Sequence, residues 1–272
     1  MAKSAARATA EAQAAYAAAA ALTAIQIGID LAKTRDYTAI AVAAVRERAR
    51  QMTAVQIASA NPASAGTESV YTVQLIDRLE HDLAYPVQIA RIMELCVRLR
   101  ERLLEVRRSV ALHEPWLNTG PRLALPIPPI SIYLDATGLG GPVSELLETA
   151  LKDDPRTREM HLYPLVFMSG ERFTRSGARA GEPGRIGKTY LIARVQALLA
   201  TACLELPKQV PIAPELRREI DTYHVNIDAS TGQETWGAAG PGSAHDDLVT
   251  ALALAVVDDP RRRRVTYGPR LW

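Results

Sequence analysis

The hydrophobic pattern at the start of the chain predicts β-strands joined by short polar segments. Ala24–Ile29 is an apolar run of strand length, the next few residues are polar, and Tyr37–Val45 is again apolar and rich in β-formers. This arrangement is typical of a β-hairpin. Met52–Ala58 and Val70–Leu79 are also strand-like. Together these segments predict an antiparallel meander at one edge of a sheet.

From Pro86 onward the apolar positions follow the period of a helix. They predict an amphipathic helix with one buried stripe, formed by Ile89, Ile92, Met93, Cys96, Leu99 and Leu103. Further along, Ile130–Asp135 and His161–Met168 predict strands, and Val143–Leu151 predicts a helix between them. Strand, helix and strand in this order indicate a parallel crossover. The whole pattern therefore predicts an α/β fold with a mixed central sheet, an antiparallel edge and flanking helices.

Composition is consistent with a globular protein built around one large domain. The chain has 272 residues, enough for a sizeable core, and is 48% hydrophobic and 23% charged. The net charge is only +2, so nucleic-acid binding would have to come from local basic patches. Cys96 and Cys203 lie in helical apolar patterns, which predicts reduced core residues and an intracellular compartment.

The chain divides into three parts of different composition. Residues 1–23 are alanine-rich and carry Arg7 and Glu11, which favours a helical arm or linker over a secretory signal or a membrane span. Residues 24–260 contain the predicted sheet and helices and form the main domain. Residues 261–272 begin with a run of arginines and make a basic tail, for which a solvated charge run is the default interpretation.

Acidic residues stand at the ends of two predicted strands and at the start of a predicted helix. Asp30 ends the first strand, Asp135 ends the strand before the turn Ala136–Gly141, and Asp246 with Asp247 opens an apolar helix. A lone Asp at such a place most often caps a turn, and a carboxylate there is costly unless it is paired, hydrogen-bonded or bound to a metal. Such acids can meet above a sheet and hold two divalent ions, the minimum apparatus for hydrolysing a phosphodiester. Oxygen ligands without a Cys/His cluster favour Mg²⁺ or Mn²⁺ over zinc.

Three motifs in this order resemble the nuclease domain of bacteriophage large terminase subunits, a branch of the RNase H-like (RuvC-type) superfamily. They are Asp30 with Asp36-Tyr37-Thr38-Ala39-Ile40, Asp135 with its glycine turn, and His245-Asp246-Asp247-Leu248-Val249. The resemblance spans roughly Ile25 to Asp258. It implies an RNase H-like fold and a metal-dependent endonuclease that cleaves double-stranded, concatemeric viral DNA during genome packaging.

The resemblance also implies roles for particular residues and partners. Asp30, Asp135 and Asp247 would be the catalytic acids, and these three with Asp246 would hold two Mg²⁺ or Mn²⁺ ions, with Asp30 shared by both. The implied partners are double-stranded DNA, a packaging ATPase or motor chain, the small terminase subunit and the portal, in the cytoplasm of a bacterial host cell. Because no P-loop or motor domain precedes Ala24, we expect an excised domain, a split-gene product or a stand-alone relative.

Three residues beside these acids have more than one interpretation. Ser243 and Asp246 have the spacing of a capping box, so Asp246 either caps the helix or binds metal. His245 either contacts a phosphate or a metal-bound water, or is an ordinary surface histidine. Asp36 is better explained as a residue that shapes the hairpin turn by bonding backbone amides than as a metal ligand.

A run of arginines among glycines precedes a further helix. Ser169–Arg185 predicts a flexible surface loop. The functional alternative is a DNA-binding loop that contacts phosphates through Arg172, Arg175, Arg179, Arg185 and Lys188. Lys188 also resembles a lysine that opens this helix in large terminases, which would bring it near the scissile phosphate.

Gly187-Lys188-Thr189 mimics part of a nucleotide-binding P-loop. That motif requires a glycine five positions before Gly187, where this chain has Glu182. It also requires a direct connection from strand to helix, which the sequence does not predict here. We therefore expect no ATPase activity from this chain.

Two other functions fit the same residues. A junction-resolving nuclease would use the same fold and metals but act on branched DNA as a dimer. A non-catalytic packaging or adaptor protein derived from this fold would lose the acids, and the presence of Asp30, Asp135 and Asp247 argues against it.

Overall fold

A computed structural model describes residues 21–31, 37–50, 66–113, 127–138, 140–170, 172–177, 182–206, 212–227, 234–238 and 245–263. Several predicted features lie outside these residues, namely the arm up to residue 20, the strand-like Met52–Ala58, Asp36, Arg179, Ser243 and the tail from residue 264. Among the described helices, none is long and apolar enough to cross a membrane.

Most of the described strands belong to one sheet. They are β1 (Leu22–Asp30), β2 (Ala39–Ala49), β3 (Thr67–Arg78), β4 (Ile130–Asp135), β5 (His161–Met168), β6 (Phe173–Ser176), β7 (Pro183–Gly187) and β8 (Leu204–Glu205). Within the described residues this sheet has eight strands in the order β6-β7-β5-β4-β1-β2-β3-β8. A separate antiparallel hairpin joins β9 (Tyr223–Ile227) to β10 (Glu234–Ala238).

The order and direction of the central strands define the fold class. β1, β2 and β3 form an antiparallel meander, as predicted for three of its strands, while the further predicted strand Met52–Ala58 lies outside the described residues. On the other side of β1, β4 pairs in parallel with β1 and β5 pairs in parallel with β4. A mixed sheet with this order, β3-β2-β1-β4-β5, is the RNase H-like topology, so the structure confirms the predicted fold class.

Helices cover both faces of the sheet. They are α1 (Tyr85–His113), α2 (Gly140–Asp153), α3 (Lys188–Ala200), α4 (Ala213–Thr222) and α5 (Asp247–Ala255), followed by a short 3₁₀ helix (Pro260–Arg263). Ile25, Ile27 and Ile29 of β1 pack in the same core as residues of α1 and α2. The opposite face of the sheet packs against α3, α4 and α5. Because β1 is buried on both faces, its sequence is a nearly continuous apolar run.

The arginine-rich stretch is not the loop that the sequence predicted. β6 and β7 form an antiparallel hairpin, and β7 extends the sheet by pairing in parallel with β5. Its glycines permit close packing of the strands, since a Cβ on Gly184 would lie 2.3 Å from the carbonyl oxygen of Thr174. β7 also runs directly into α3, so the prediction that no strand connects directly to this helix is wrong. The other argument against a P-loop still holds, because Glu182 occupies the position of the required glycine.

Candidate active site

Two of the predicted acids lie side by side at one edge of the sheet. β1 and β4 run parallel with Ile29 opposite Leu134, so Asp30 and Asp135 follow at the ends of neighbouring strands. The carboxyl ends of parallel strands meet at the same edge of a sheet, which is where α/β proteins usually bind their ligands. Asp135 is held by a local turn, because its Oδ1 accepts the backbone N–H of Thr137 at 2.8 Å.

The start of α5 brings the remaining acids to the same edge. α5 packs on β1 and β2 through a run of small residues, and Gly28 of β1 lies directly against its backbone. Asp246 is the residue before the helix, and its carbonyl accepts the first helical hydrogen bond from the amide of Thr250 at 2.9 Å. Asp247 is the first residue of the helix and is only 4% exposed.

Burial and several neighbouring charges determine the environment of Asp30. Burial raises the pKa of Asp30 well above its usual value, and the charges of Asp135, Asp246 and Asp247 raise it further. The charge of Lys188 acts in the opposite direction. The charges of the three other predicted carboxylates and of Lys188 thus all act on Asp30.

Asp247 has a partner that the sequence did not reveal. Arg78, the last residue of β3, donates from Nε to Asp247 Oδ2 at 2.6 Å and from Nη2 to Asp247 Oδ1 at 3.0 Å. Such a two-pronged contact is the strongest geometry for an arginine and a carboxylate. Both oxygens of Asp247 are thus engaged by a side chain within the protein.

Glu219 of α4 completes this buried ion-pair network. Its Oε1 accepts a hydrogen bond from Arg78 Nη2, and its Oε2 accepts the backbone N–H of Val249 in the first turn of α5 at 3.1 Å. Burial raises the pKa of Glu219 to about 7, and the nearby Asp247 contributes to the shift. Glu219 therefore ties both Arg78 and the start of α5 to α4.

Of the two roles left open for Asp246, the structure does not show the helix cap. Asp246 occupies the N-cap position of α5, but its side chain makes no capping hydrogen bond, and Glu219 bonds a first-turn amide instead. Tyr223, the first residue of β9, follows α4 directly. Burial raises the pKa of its hydroxyl, and the charges of Asp246 and Asp30 raise it further. Ser243, the other half of the proposed capping box, lies outside the described residues.

Two of the three accessory candidates lie beside the acids. Lys188 opens α3, and its Nζ lies 5.7 Å from the centre of the Phe167 ring. His245 Nδ1 is 4.0 Å from Asp247 Oδ1, and its ring makes an edge contact with Tyr37 at 5.3 Å between ring centres. Asp36, the third candidate, lies outside the described residues.

The predicted DNA-binding arginines occupy different environments. Arg172, just before β6, and Arg185, in β7, are exposed. Arg175 instead points to the buried Asp258, with 2.5 Å between its Nη2 and Asp258 Oδ1. Tyr133 donates a hydrogen bond to the other oxygen of Asp258 at 2.7 Å. Arg175 thus has a structural partner within the fold, and Arg179 lies outside the described residues.

The donor chemistry at this edge fits a hard divalent cation. Asp135 at the end of β4 and Asp246 and Asp247 at the start of α5 act on Asp30, whose pKa is raised first by burial and then by these charges. As the side chains stand, no three His, Cys, Asp or Glu of the described residues are arranged to hold a metal ion. Asp247 is engaged by Arg78, and Asp135 by the backbone of its own turn.

Comparisons with known proteins give similar structures at low sequence identity. No family model matches the chain, and no curated protein does. The large terminase nuclease of the thermophilic phage G20c matches with a TM-score of 0.43 and 16% identity, over 85% of this chain and 80% of that one.

Two structures of a human cytomegalovirus terminase nuclease domain also match. One, soaked with Mn and bound to an inhibitor, has a TM-score of 0.41 and 9% identity, over 89% of this chain and 86% of that one. The other, soaked with Mn, has a TM-score of 0.39 and 9% identity, over 85% and 80%.

Proposed function

We propose that this protein is a metal-dependent endonuclease that hydrolyses double-stranded DNA during viral genome packaging. The observation that carries the proposal is that Asp30 and Asp135 end adjacent parallel strands of an RNase H-like sheet, while Asp246 and Asp247 stand at the start of the helix that packs on β1. The charges of Asp135, Asp246 and Asp247 add to burial in raising the pKa of Asp30, and such repulsion between carboxylates is typical of sites that work with a cation.

The acids would hold two Mg²⁺ or Mn²⁺ ions. Asp30 and Asp135 contribute from the two strand ends, and the start of α5 contributes Asp246 or Asp247. When bound, the ions would supply Lewis acidity that activates water and stabilises negative charge on the leaving oxygen. A set of carboxylate oxygens favours these metals over zinc.

Other residues of the chain would bind and orient the DNA. Lys188 lies beside Asp30, where its ammonium group can pair with the phosphate that is cleaved. Arg172 and Arg185 are exposed on the β6–β7 hairpin that leads to Lys188, where they can contact neighbouring phosphates. Because the net charge of the chain is only +2, such local contacts would provide most of the affinity for DNA.

Genome packaging implies further partners. Lys188 is followed by Thr189, but Glu182 replaces the glycine that a P-loop needs, so ATP-driven translocation would come from another chain. A packaging motor, a small terminase subunit and a portal are the proposed partners, and the cytoplasm of a bacterial host is the proposed place of action.

Nicking of supercoiled plasmid DNA tests the proposal. The wild-type protein should nick the plasmid in Mg²⁺ or Mn²⁺ but not in EDTA, and Asp30→Asn and Asp135→Asn should be folded and inactive. Asp153→Asn is the matched control, because Asp153 is exposed at the far end of α2, and it should nick normally. A folded wild-type protein without metal-dependent nicking would leave only the non-catalytic packaging role. Preferred cleavage of four-way junctions over linear duplex would favour a junction-resolving nuclease instead.

A further inference from the structure

An arginine-lined groove lies at the end of the sheet opposite the acids. A cavity of about 360 Å³ opens between α1 and the residues that lead into β4 and β5. A larger cavity of about 770 Å³ adjoins it, since both are lined by Arg100 and Arg156. Ile130, in the wall of the smaller cavity, begins β4, and Asp135 ends it, so the six residues of this strand separate the two by ~16 Å. The groove is therefore distinct from the acidic edge.

Positive charge is concentrated in this groove. Its walls carry six arginines, namely Arg98, Arg100, Arg102, Arg107, Arg108 and Arg156, and three glutamates, namely Glu101, Glu105 and Glu159. The surplus of three positive charges is larger than the net charge of the whole chain, which is +2. A local field of this kind attracts an anionic ligand even though the chain as a whole is nearly neutral.

We propose that this groove binds an acidic segment of a partner protein, whose aspartate or glutamate side chains pair with Arg100, Arg107 and Arg156. Arginine clusters are common receptors for acidic peptide motifs, because a guanidinium group can bond a carboxylate through two parallel N–H groups. The surface lies away from the proposed nuclease site, and binding to it does not depend on DNA cleavage.

Some arginines of the groove are available to an incoming carboxylate. Arg107 and Arg108 make no ion pair or hydrogen bond with any described residue. Arg156 is exposed, and its guanidinium is shared between Asp154 at 2.7 Å and Glu101 at 3.4 Å. Within the described part of the chain, the groove thus offers guanidinium groups whose bonding capacity is not filled.

The pair of Arg100 and Glu159 shows how a ligand can enter. The side chain of Arg100 is only 19% exposed, whereas that of Glu159, which accepts its hydrogen bond at 2.6 Å, is 69% exposed. An ion pair with so exposed a partner contributes little to stability, so a carboxylate from another protein can replace Glu159 at small cost. Glu159 therefore acts as an internal competitor of the acidic segment.

The chemistry of the walls favours a protein over DNA. The three glutamates interrupt the basic surface and would repel the continuous negative charge of a DNA backbone. Ile127, Pro128 and Met160 add apolar surface to the smaller cavity. Arginines beside apolar surface are typical of protein–protein interfaces. A segment that combines acidic with apolar side chains matches both features.

Selection from a random peptide library displayed on phage, with the purified full chain as the target, tests this surface. We expect the selected peptides to combine acidic with apolar residues and to bind more weakly at high salt. Arg107→Gln/Arg156→Gln should weaken their binding at least about tenfold, which is the effect of losing one ionic hydrogen bond. Arg91→Gln is the matched control, because Arg91 is exposed on the same helix outside the groove, and it should bind the peptides normally.

Glu159→Gln provides a test that misfolding cannot imitate. Removal of the competing carboxylate should strengthen peptide binding by up to about fivefold, the factor that corresponds to an exposed ion pair. Glu148→Gln is its matched control, because Glu148 is exposed on α2, pairs with Lys152 and does not line the groove. This control should leave the affinity unchanged.

Three results would overturn the proposal. They are a selection that yields no acidic peptides, peptides that bind the wild type and the folded Arg107→Gln/Arg156→Gln variant equally, and duplex DNA that displaces the peptides and binds this variant more weakly. The last result would make the groove a DNA-binding surface. Peptide binding is measured without metal or DNA, so its outcome is independent of whether the protein nicks plasmid.

Discussion

Gly28 of β1 lies directly beneath the backbone of α5, so that a Cβ atom on it would come 2.1 Å from the carbonyl oxygen of Ala251. Real Cβ atoms do not approach a backbone oxygen so closely. The same position would be 2.3 Å from the amide nitrogen of Ala255. The absence of a side chain at Gly28 therefore sets how near α5 lies to β1, and hence how near Asp246 lies to Asp30.

Gly28→Ala should damage both stability and activity. The added methyl group meets the backbone of α5, which can move away only by leaving the sheet, so we expect a loss on the order of 1–3 kcal/mol in the free energy of unfolding. DNA nicking should fall as well, because α5 carries two of the acids. Urea denaturation and plasmid nicking measure the two effects.

Gly141→Ala provides the matched control for this change. A Cβ on Gly141 would meet no atom within 4 Å, so the same substitution should leave nicking unchanged and stability equal or slightly higher. A Gly28→Ala protein as stable and as active as the wild type would show that the close contact with α5 does not position the acids.

Asp30→Asn should stabilise the metal-free protein near neutral pH while abolishing nicking. The pKa of Asp30 is raised by burial and by the neighbouring carboxylates, so the folded protein keeps this proton to a higher pH than the unfolded chain does. The contribution of Asp30 to the stability of the wild type therefore falls as the pH rises above about 3.9, the ordinary pKa of aspartate. The uncharged amide of Asn avoids this loss.

Denaturation in EDTA at a series of pH values measures this effect. The advantage of Asp30→Asn over the wild type should grow with pH, while the surface control Asp153→Asn should follow the wild-type curve. Added Mn²⁺ should stabilise the wild type but not Asp30→Asn. An Asp30→Asn protein less stable than the wild type at neutral pH in EDTA would contradict the crowding of carboxylates around Asp30.

The arginines of the β6–β7 hairpin should separate into two functional groups. Replacing the exposed Arg172 and Arg185 by Ala should weaken binding to any duplex and reduce the log–log salt slope by about 0.9 for each lost phosphate contact. Stability should be unchanged, because these side chains are exposed. Binding titrations at several salt concentrations give the slope, and an unchanged slope would mean that the DNA binds elsewhere.

Arg175→Ala should have the opposite profile. It removes the ionic partner of Asp258, which is 3% exposed, so we expect a loss on the order of 1–3 kcal/mol in the free energy of unfolding. The salt slope for DNA binding should stay at the wild-type value. A stable Arg175→Ala protein with a reduced salt slope would instead place Arg175 on the DNA, as the sequence suggested.

Lys188 should serve DNA cleavage and not nucleotide binding. The residues before Lys188, Pro183–Gly187, form the strand β7 and not a phosphate-binding loop, and Glu182 stands at the position of the glycine that a P-loop requires. We expect no ATP hydrolysis and no thermal shift with ATP and Mg²⁺, whereas Lys188→Ala should nick DNA more slowly. Lys188→Arg, which keeps the charge, should retain part of the activity. A thermal shift with ATP that Lys188→Ala abolishes would contradict this assignment.

The sequence predicted the parts of the site that follow from local pattern. Strand-length apolar runs ending in Asp30 and Asp135, and an apolar helix opened by Asp246 and Asp247, are visible as short segments. Once the strand order is that of an RNase H-like sheet, these segments converge, because neighbouring parallel strands end at the same edge. The division of the sheet into an antiparallel meander and a parallel half was likewise predicted from the order of strand-like and helix-like segments.

The partners of the acids could not be predicted in the same way. Arg78 and Asp247 are separated by 169 positions in the chain, and Arg78 and Glu219 by 141. A single arginine at the end of a strand has no periodic signal, and its partner depends on how α4 and α5 pack. The pairing of Arg175 with Asp258 could not be predicted for the same reason. The glycines near Arg175 are typical of a loop in sequence, but in the structure they permit close packing of two strands.

Diffraction from crystals soaked in Mn²⁺ tests the central claim most directly. Data collected at the manganese edge locate the ions without reference to activity. We predict anomalous density between Asp30 and Asp135 in the wild-type protein and its loss in folded Asp30→Asn. Wild-type crystals that diffract well and show no manganese beside these carboxylates would contradict the proposal that this edge of the sheet is a metal-dependent nuclease site.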